Sequence, residues 1–330
     1  MRHFVTISLF AALILAVGCK KAEENFPSET RTVFGVPVTV SIFMKDAKPE
    51  NLKPAFDAAF SMLGAYEKTT VAPGPENQLE KIAGGAGKES VPVDTTVYAM
   101  LMRALQLNDM TGEAFDLRYG PLLDAWLASG KPVKPSQADL DSALSLIKTG
   151  GMFVAGKAIL LSKPMMRFDA RGYADAWAID RAAEKLNQMS FNAFEIRTPY
   201  AVRVVGMPMN QQNVEVMLSS GQPGDSAWAC VSMGQGGLAY LPAEARDANG
   251  YRLVVDPRTG DLPDGGMVAM AKDCATAYAL AYAMLVDGDG SKLDDKGKAE
   301  LMGSVRVSGS KPNYSLAAEG SLKDRIKTLN

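Results

Sequence analysis

FDARGYADAWAIDRAAEKL, Phe168–Leu186, passes from an acidic, glycine-containing turn into a helix-like segment. Ala174, Ala178, Ala182 and Leu186 recur every four residues, the spacing of one face of a helix. Asp169-Ala170-Arg171-Gly172 precedes that periodic segment and follows a β-like run, so Asp169–Tyr173 is expected to be a strand-to-helix turn. Gly172 can take backbone angles closed to other residues. Such a turn aims free backbone N–H groups and the positive end of a helix outward, which suits an anion or phosphate. On these residues alone, an ordinary strand–turn–helix unit is the simpler account.

Upstream of this turn, Phe153–Ser162 reads as a hairpin turning near Gly156-Lys157. Ser136-x-x-Asp139 opens a helix in capping-box style, and Gly150-Gly151 closes it. Asp94 caps an earlier helix with Val97, Leu101, Ala104 and Leu105 turned inward. Leu52, Phe56, Ala59, Leu63 and Tyr66 share a face of another, which Val71–Gly74 breaks. Arg31–Phe43 alternates apolar and polar residues as a strand does. Downstream, Phe194–Val205, Trp228–Met233 and Tyr251–Val255 are strand-like, Lys272–Val286 is Ala-rich and helical, and Val305–Ser308 reads as a late strand. Strands and helices mingle without strict alternation, which predicts an α+β fold with a mixed β-sheet and packed helices.

The chain has 330 residues, 47% of them hydrophobic and 22% charged, a globular balance with length enough for a large core. The formal net charge is -2 and no basic run occurs, which argues against a nucleic-acid partner. Arg2 and His3 precede an apolar run, Phe4–Val17, that ends in Gly18-Cys19. A charged start, a short apolar stretch and small residues at the cut make a secretory signal, and the run is short for a membrane span. Ala16-Val17-Gly18-Cys19 resembles the bacterial lipobox. The expected organisation is therefore a lipoprotein signal peptide over 1–18, a polar tether over 19–30 lipidated at Cys19, and one domain over 31–330. The protein would then lie in the cell envelope, lipid-anchored to a bacterial membrane and facing the periplasm or the exterior. A plain signal peptide is the alternative.

Cys230 and Cys274 can pair in an exported protein, or Cys230, within Trp228-Ala229-Cys230-Val231, can be a buried thiol. No CxxC or Cys/His spacing supports zinc. His3 is the single histidine. With the signal removed none is left, so any general base is Asp, Glu, Lys or Tyr.

Asp169, Gly172, Ala178 and Asp180 match the D-x-x-G-x-x-[KE]-G-Y-A-x-D signature of the FAD:protein FMN transferases, the ApbE family. Glu113–Leu123 with Trp126 resembles that family's GAFDxxxGPLxxLW. Val255–Gly260 is similar to its (H)IIDPRTG, and Ala277–Ala283 lies where it has ADALATA. Phe34-Gly35 falls where it has a Met-Gly pair near the flavin. The four blocks occur in the family's order. The resemblance implies a single ApbE-like domain and a reaction that moves FMN from FAD to a Thr or Ser of an acceptor flavoprotein. It assigns cofactor-binding positions to Phe34, Ala114, Phe115, Asp116, Asp169, Arg171, Gly172, Asp175 and Asp256. From the residues alone, the Phe115 block is equally a helix-entry turn with Phe115 in the core.

The resemblance also implies Mg²⁺, held by a backbone carbonyl near Gly172 and by the Asp and Thr of ADALATA. Here those two positions are Tyr278 and Tyr282, one helical turn apart, leaving Gly172 and Ala281 as the metal positions. A phenol is a poor substitute for a carboxylate on Mg²⁺, and the pair also reads as packed aromatics. Leu253 stands at the family's His, and Asp175-Ala176-Trp177 at its [KE]-G-Y. Asp169, Asp180 and Asp273 are carboxylates available nearby, and Arg171 is a fixed charge able to fork onto phosphate. Three functions fit: an FMN transferase, a non-catalytic flavin-binding or structural lipoprotein of the same fold, and an enzyme that hydrolyses FAD.

Overall fold

The computed structural model describes residues 26–130, 132–209, 211–218, 226–242, 254–310 and 313–329. The leader assigned to residues 1–18, Cys19, the first part of the tether and Leu253 lie outside the described residues. The chain opens with a hairpin of β1 (Ser28–Val33) and β2 (Val36–Ile42). The single strand expected over Arg31–Phe43 is thus two. Phe34 and Gly35 both have positive φ, 57° and 73°, as a tight two-residue hairpin loop requires.

Next come α1 (Pro49–Thr70), α2 (Gln78–Gly85), β3 (Val91–Pro92) and α3 (Thr95–Met110). A short 3₁₀ turn (Leu117–Tyr119), α4 (Gly120–Leu127), α5 (Gln137–Thr149) and the hairpin β4 (Met152–Ala155)–β5 (Ala158–Leu161) lead to α6 (Tyr173–Gln188). Side chains of Asn77, Asp94 and Ser136 accept the first free N–H groups of α2, α3 and α5. The expected strand over Phe194–Val205 is again a pair, β6 (Phe194–Arg197) and β7 (Ala201–Val205), because Thr198 accepts the N–H groups of Tyr200 and Ala201 and turns the chain. Then follow β8 (Val214–Leu218), β9 (Ala229–Met233), β10 (Gly236–Pro242), β11 (Gly266–Ala271), α7 (Cys274–Asp287), α8 (Asp295–Glu300), β12 (Gly303–Ser310), β13 (Asn313–Gly320) and β14 (Ile326–Thr328). Residues 254–256 form no strand.

The principal sheet has eight strands in the order β1-β2-β6-β7-β10-β11-β12-β13, beside two three-stranded sheets, β14-β9-β8 and β3-β5-β4. The α+β class stands. The sheet is antiparallel, not mixed: every pairing among the described residues is antiparallel. The physical reason is that each excursion through helices, such as α7 between β11 and β12, returns the chain to its neighbour in the reverse direction.

Strand periodicity divides the core. Ala239 and Leu241 of β10 face the cluster with α1, α6 and α7, while Leu238 and Tyr240 face the one with β8 and β9. Both faces of β10 and β11 are therefore buried. α7 is buried from Cys274 through Leu285, as an all-round apolar helix must be. It lies against β10 and β11 and brings Tyr278 to the turn that opens α6 and Tyr282 to the backbone of Val255.

Candidate functional site

Gly172 has φ +82°, and a Cβ there would sit about 2.7 Å from Cζ of Tyr278, overlapping its hydroxyl as well. Glycine is required twice over, by conformation and by the ring laid against it. Asp169 is buried, and its carboxylate accepts the backbone N–H of Arg171 at 3.1 Å. The Arg171 guanidinium folds back onto the same group, Nε at 3.1 and 3.0 Å and Nη2 at 2.5 Å. The Gly172 N–H goes to Asp175 Oδ1 at 3.3 Å, and the Ala174 N–H to the Ala170 carbonyl at 2.7 Å. The Arg171, Gly172 and Ala174 N–H groups are thus satisfied from within the turn, because buried donors take the nearest acceptor.

The same bracket occurs twice more. Asp116 accepts the Arg118 N–H at 2.8 Å and its Nη2 at 2.6 Å; Asp256 accepts the Arg258 N–H and Nε, both at 2.9 Å. A carboxylate that bonds the N–H two residues on forms an Asx turn, and an arginine at that position neutralises the buried charge. Arg258 also reaches Asp287, at 2.6 Å. The Asp169 N–H donates to the Leu117 carbonyl at 2.8 Å, joining the first two brackets, and Trp126 Nε1 donates to the Gly260 carbonyl at 2.9 Å. Sequence reasoning named the three aspartates and Arg171 but missed Arg118 and Arg258; an Asp-x-Arg triplet repeated at 116, 169 and 256 was the signal available.

Between the brackets lies a buried aromatic cluster. Phe115 sits 5.1 Å from Tyr173, 6.3 Å from Tyr278 and 5.7 Å from Tyr282, centroid to centroid. Tyr119 joins through Tyr282 at 6.0 Å, and the two tyrosines of α7 are 6.4 Å apart. Tyr278 Oη donates to the Arg171 carbonyl at 3.3 Å. Tyr282 Oη donates to the Val255 carbonyl at 2.7 Å and accepts the Val255 N–H at 3.2 Å. Burial pushes the phenols of Tyr119, Tyr173 and Tyr282 well above their ordinary range, so these hydroxyls stay neutral. A cavity of ≈ 150 Å³ opens beside the cluster, lined by Asn108, Asp116, Arg118, Met152 and Phe168 among others. A larger one, ≈ 550 Å³, lies between α4, α5 and residues 165–167.

Residues 34–299 match the family model described as the ApbE family. The chain belongs to the ApbE family. It is 22% identical over 305 residues to the FAD:protein FMN transferase of Vibrio cholerae, covering 84% of this chain and 86% of that one. The Treponema pallidum protein of the same name is 24% identical over 308 residues, with 84% of each covered. Among solved structures, the ApbE protein of Thermotoga maritima aligns with a TM-score of 0.73 at 20% identity, over 90% of this chain and 97% of that one. The Vibrio cholerae flavin transferase ApbE aligns at 0.69 and 17% identity, over 90% and 98%. These structures share the fold of this chain.

In this ApbE-family chain the residues present do not fit Mg²⁺. The ion needs hard oxygen ligands in near-octahedral array. The oxygens at Tyr278 and Tyr282 are phenolic hydroxyls already bonded to backbone, and Asp116, Asp169 and Asp256 are held by arginines. Gly172 lies under the Tyr278 ring, and Ala281 is buried within α7, where its carbonyl belongs to the helix ladder. No group of three or more His, Cys, Asp or Glu among the described residues is arranged to hold a metal.

The remaining positions are also engaged. Asp180 is buried, not a surface charge: it accepts the N–H groups of Cys274 at 3.0 Å and Ala275 at 2.9 Å, with Arg203 at 3.5 Å. Burial, then the Asp273 charge, pushes its carboxyl up to about 7. Asp273 caps α7 through the Thr276 N–H. Ala114 is buried next to Phe115, whose carbonyl accepts from Asn108 Nδ2 at 2.9 Å. Phe34 is held by α1 instead, its N–H on Glu67 Oε1 at 2.6 Å. Cys230 and Cys274 are free and buried. Among the described residues, no helix is long and apolar enough to cross a membrane.

Proposed function

We propose that this chain acts on FAD, passing FMN to a Ser or Thr hydroxyl of an acceptor flavoprotein. The observation that carries the reading is the convergence of loops 114–118, 169–172 and 254–260 on one aromatic cluster, in a chain whose ApbE-family match spans 34–299. The relatives named FAD:protein FMN transferase support it. In that transfer the hydroxyl oxygen attacks the flavin-side phosphorus, the bond to the bridging oxygen breaks and AMP leaves. The hydroxyl proton passes to a carboxylate or water, because His3 is the only histidine and the buried phenols stay protonated. Incubating the purified protein with FAD and a Thr-containing acceptor peptide tests this: the peptide gains the mass of an FMN group. An unmodified peptide, under conditions where a Vibrio cholerae relative modifies it, refutes transfer.

The aromatic filling at Tyr278 and Tyr282 favours a second reading, a flavin-binding protein without turnover. FAD that binds and returns intact identifies it; FAD cleaved to FMN and AMP without peptide labelling identifies hydrolysis. The proposed setting is the cell envelope, on a bacterial membrane and facing the periplasm or the exterior, with Cys19 lipidated after removal of residues 1–18. The Cys19→Ala protein is expected to leave the membrane fraction, and unchanged retention there refutes the anchor.

A further inference from the structure

Two phenols occupy the ground between the turn that opens α6, α7 and the loop at Val255. Tyr278 donates to the Arg171 carbonyl at 3.3 Å, and Tyr282 both donates to and accepts from the backbone of Val255, at 2.7 and 3.2 Å. The i,i+4 spacing sets both rings on one side of α7. Phe115, Tyr119 and Tyr173 close around them with centroid separations of 5.1 to 6.4 Å. The Tyr278 ring lies so near Gly172 that no side chain, and no hydrated ion, fits beneath it. Three of the adjacent carboxylates have a cation two residues away: Asp116 has Arg118, Asp169 has Arg171 and Asp256 has Arg258.

We propose that Tyr278 and Tyr282 are a hydrogen-bonded aromatic plug standing in place of a bound cation, so that this chain joins its flavin-site loops through phenols and takes up its flavin nucleotide without a divalent ion. The proposal rests on reading this surface as the flavin site. A cation draws loops together by collecting their oxygens; here each phenol collects a carbonyl from a different loop, and the ring stack supplies the rigidity. The three bracketed aspartates, each neutralised by its arginine, hold less charge to attract an ion than free carboxylates would. Restoring a site therefore requires removing ring volume and adding a charged oxygen together, which Tyr278→Asp with Tyr282→Thr does.

The test is Mn²⁺ titration of the full chain, followed by electron paramagnetic resonance of the free ion, with Mg²⁺ as competitor. The wild type is expected to leave the free-ion signal undiminished. The Tyr278→Asp, Tyr282→Thr protein is expected to retain one Mn²⁺ per chain at least tenfold more tightly. Where the double variant does not fold, Tyr278→Asp alone is used, and the wild-type arm decides by itself. A wild type that holds one Mn²⁺ per chain, displaced by Mg²⁺, overturns the proposal. As a second readout, quenching of FAD fluorescence gives the wild-type affinity with and without EDTA. The same affinity supports the plug, and a tenfold loss on chelation overturns it. FAD that does not bind in either condition refutes the flavin reading, while the Mn²⁺ result still decides the plug.

Discussion

Asp180→Asn changes how the stability of this chain depends on pH. The Asp180 carboxyl lies under the first turn of α7, where burial and the neighbouring Asp273 raise it to about 7 from an ordinary 3.8. The Cys274 and Ala275 N–H groups and Arg203 pull the other way and do not win. Because the folded value exceeds the unfolded one, the folded chain binds this proton more tightly. The stability so contributed is fully present below the unfolded value and is lost as pH rises through the folded value. At about 1.4 kcal/mol per unit, this one group removes about 3 kcal/mol between roughly pH 4.5 and pH 7.5. Asparagine does not titrate. It also turns an amide donor toward one of the two backbone N–H groups, costing about 1–3 kcal/mol in acid. Asp180→Asn is therefore less stable than the wild type at low pH, and the gap closes or reverses by neutrality. Urea unfolding of both proteins at several pH values measures it, since titrating groups remote from Asp180 cancel in the difference. A gap constant to within about 0.5 kcal/mol across that range would refute the account of this carboxyl.

Three further outcomes follow from the geometry. Gly172→Ala combines a φ of +82° with overlap on Tyr278, and is expected to lose about 2 kcal/mol or more; an unchanged melting temperature contradicts the packing described. Tyr282→Phe strips the partner from a buried carbonyl and a buried N–H at Val255, for an expected loss of about 1–3 kcal/mol in urea unfolding. Ser190→Gly relieves a φ of +68° at an exposed position just past α6, and is expected to stabilise by about 1 kcal/mol, read as a higher unfolding midpoint.

Much of the fold was legible where one face of an element meets water. Asp94 and Ser136 announced their helices by capping chemistry, and the hairpin at Gly156-Lys157 by turn chemistry. β10 and β11 were not recognised, because both faces are buried and their sequences, GGLAYLP and GMVAMA, carry no alternation. Arg31–Phe43 and Phe194–Val205 each read as one strand, since positive φ at Phe34 and the Thr198 turn are invisible to apolar periodicity. At the site, Asp116, Asp169, Asp256 and the Tyr278/Tyr282 pair were named in advance. Tyr119 was not, because nothing local ties it to a residue 163 positions further along, at 6.0 Å.

Residue identity alone set which chemistry was at hand: the ApbE-like blocks and their order, the lack of any histidine after His3, and phenols where a carboxylate and a hydroxyl were expected. These are facts of residue identity and local spacing, and folding does not alter them. What each group does with its charge and its hydrogen bonds follows from the packing of distant segments. Asp169, Asp116 and Asp256 are held by arginines two residues away, Asp180 by the start of a helix 94 positions distant, and the phenols by carbonyls of separate loops. A buried polar group must take whatever partner the fold brings within reach, and which partner that is depends on packing between segments that the order of residues along the chain does not reveal.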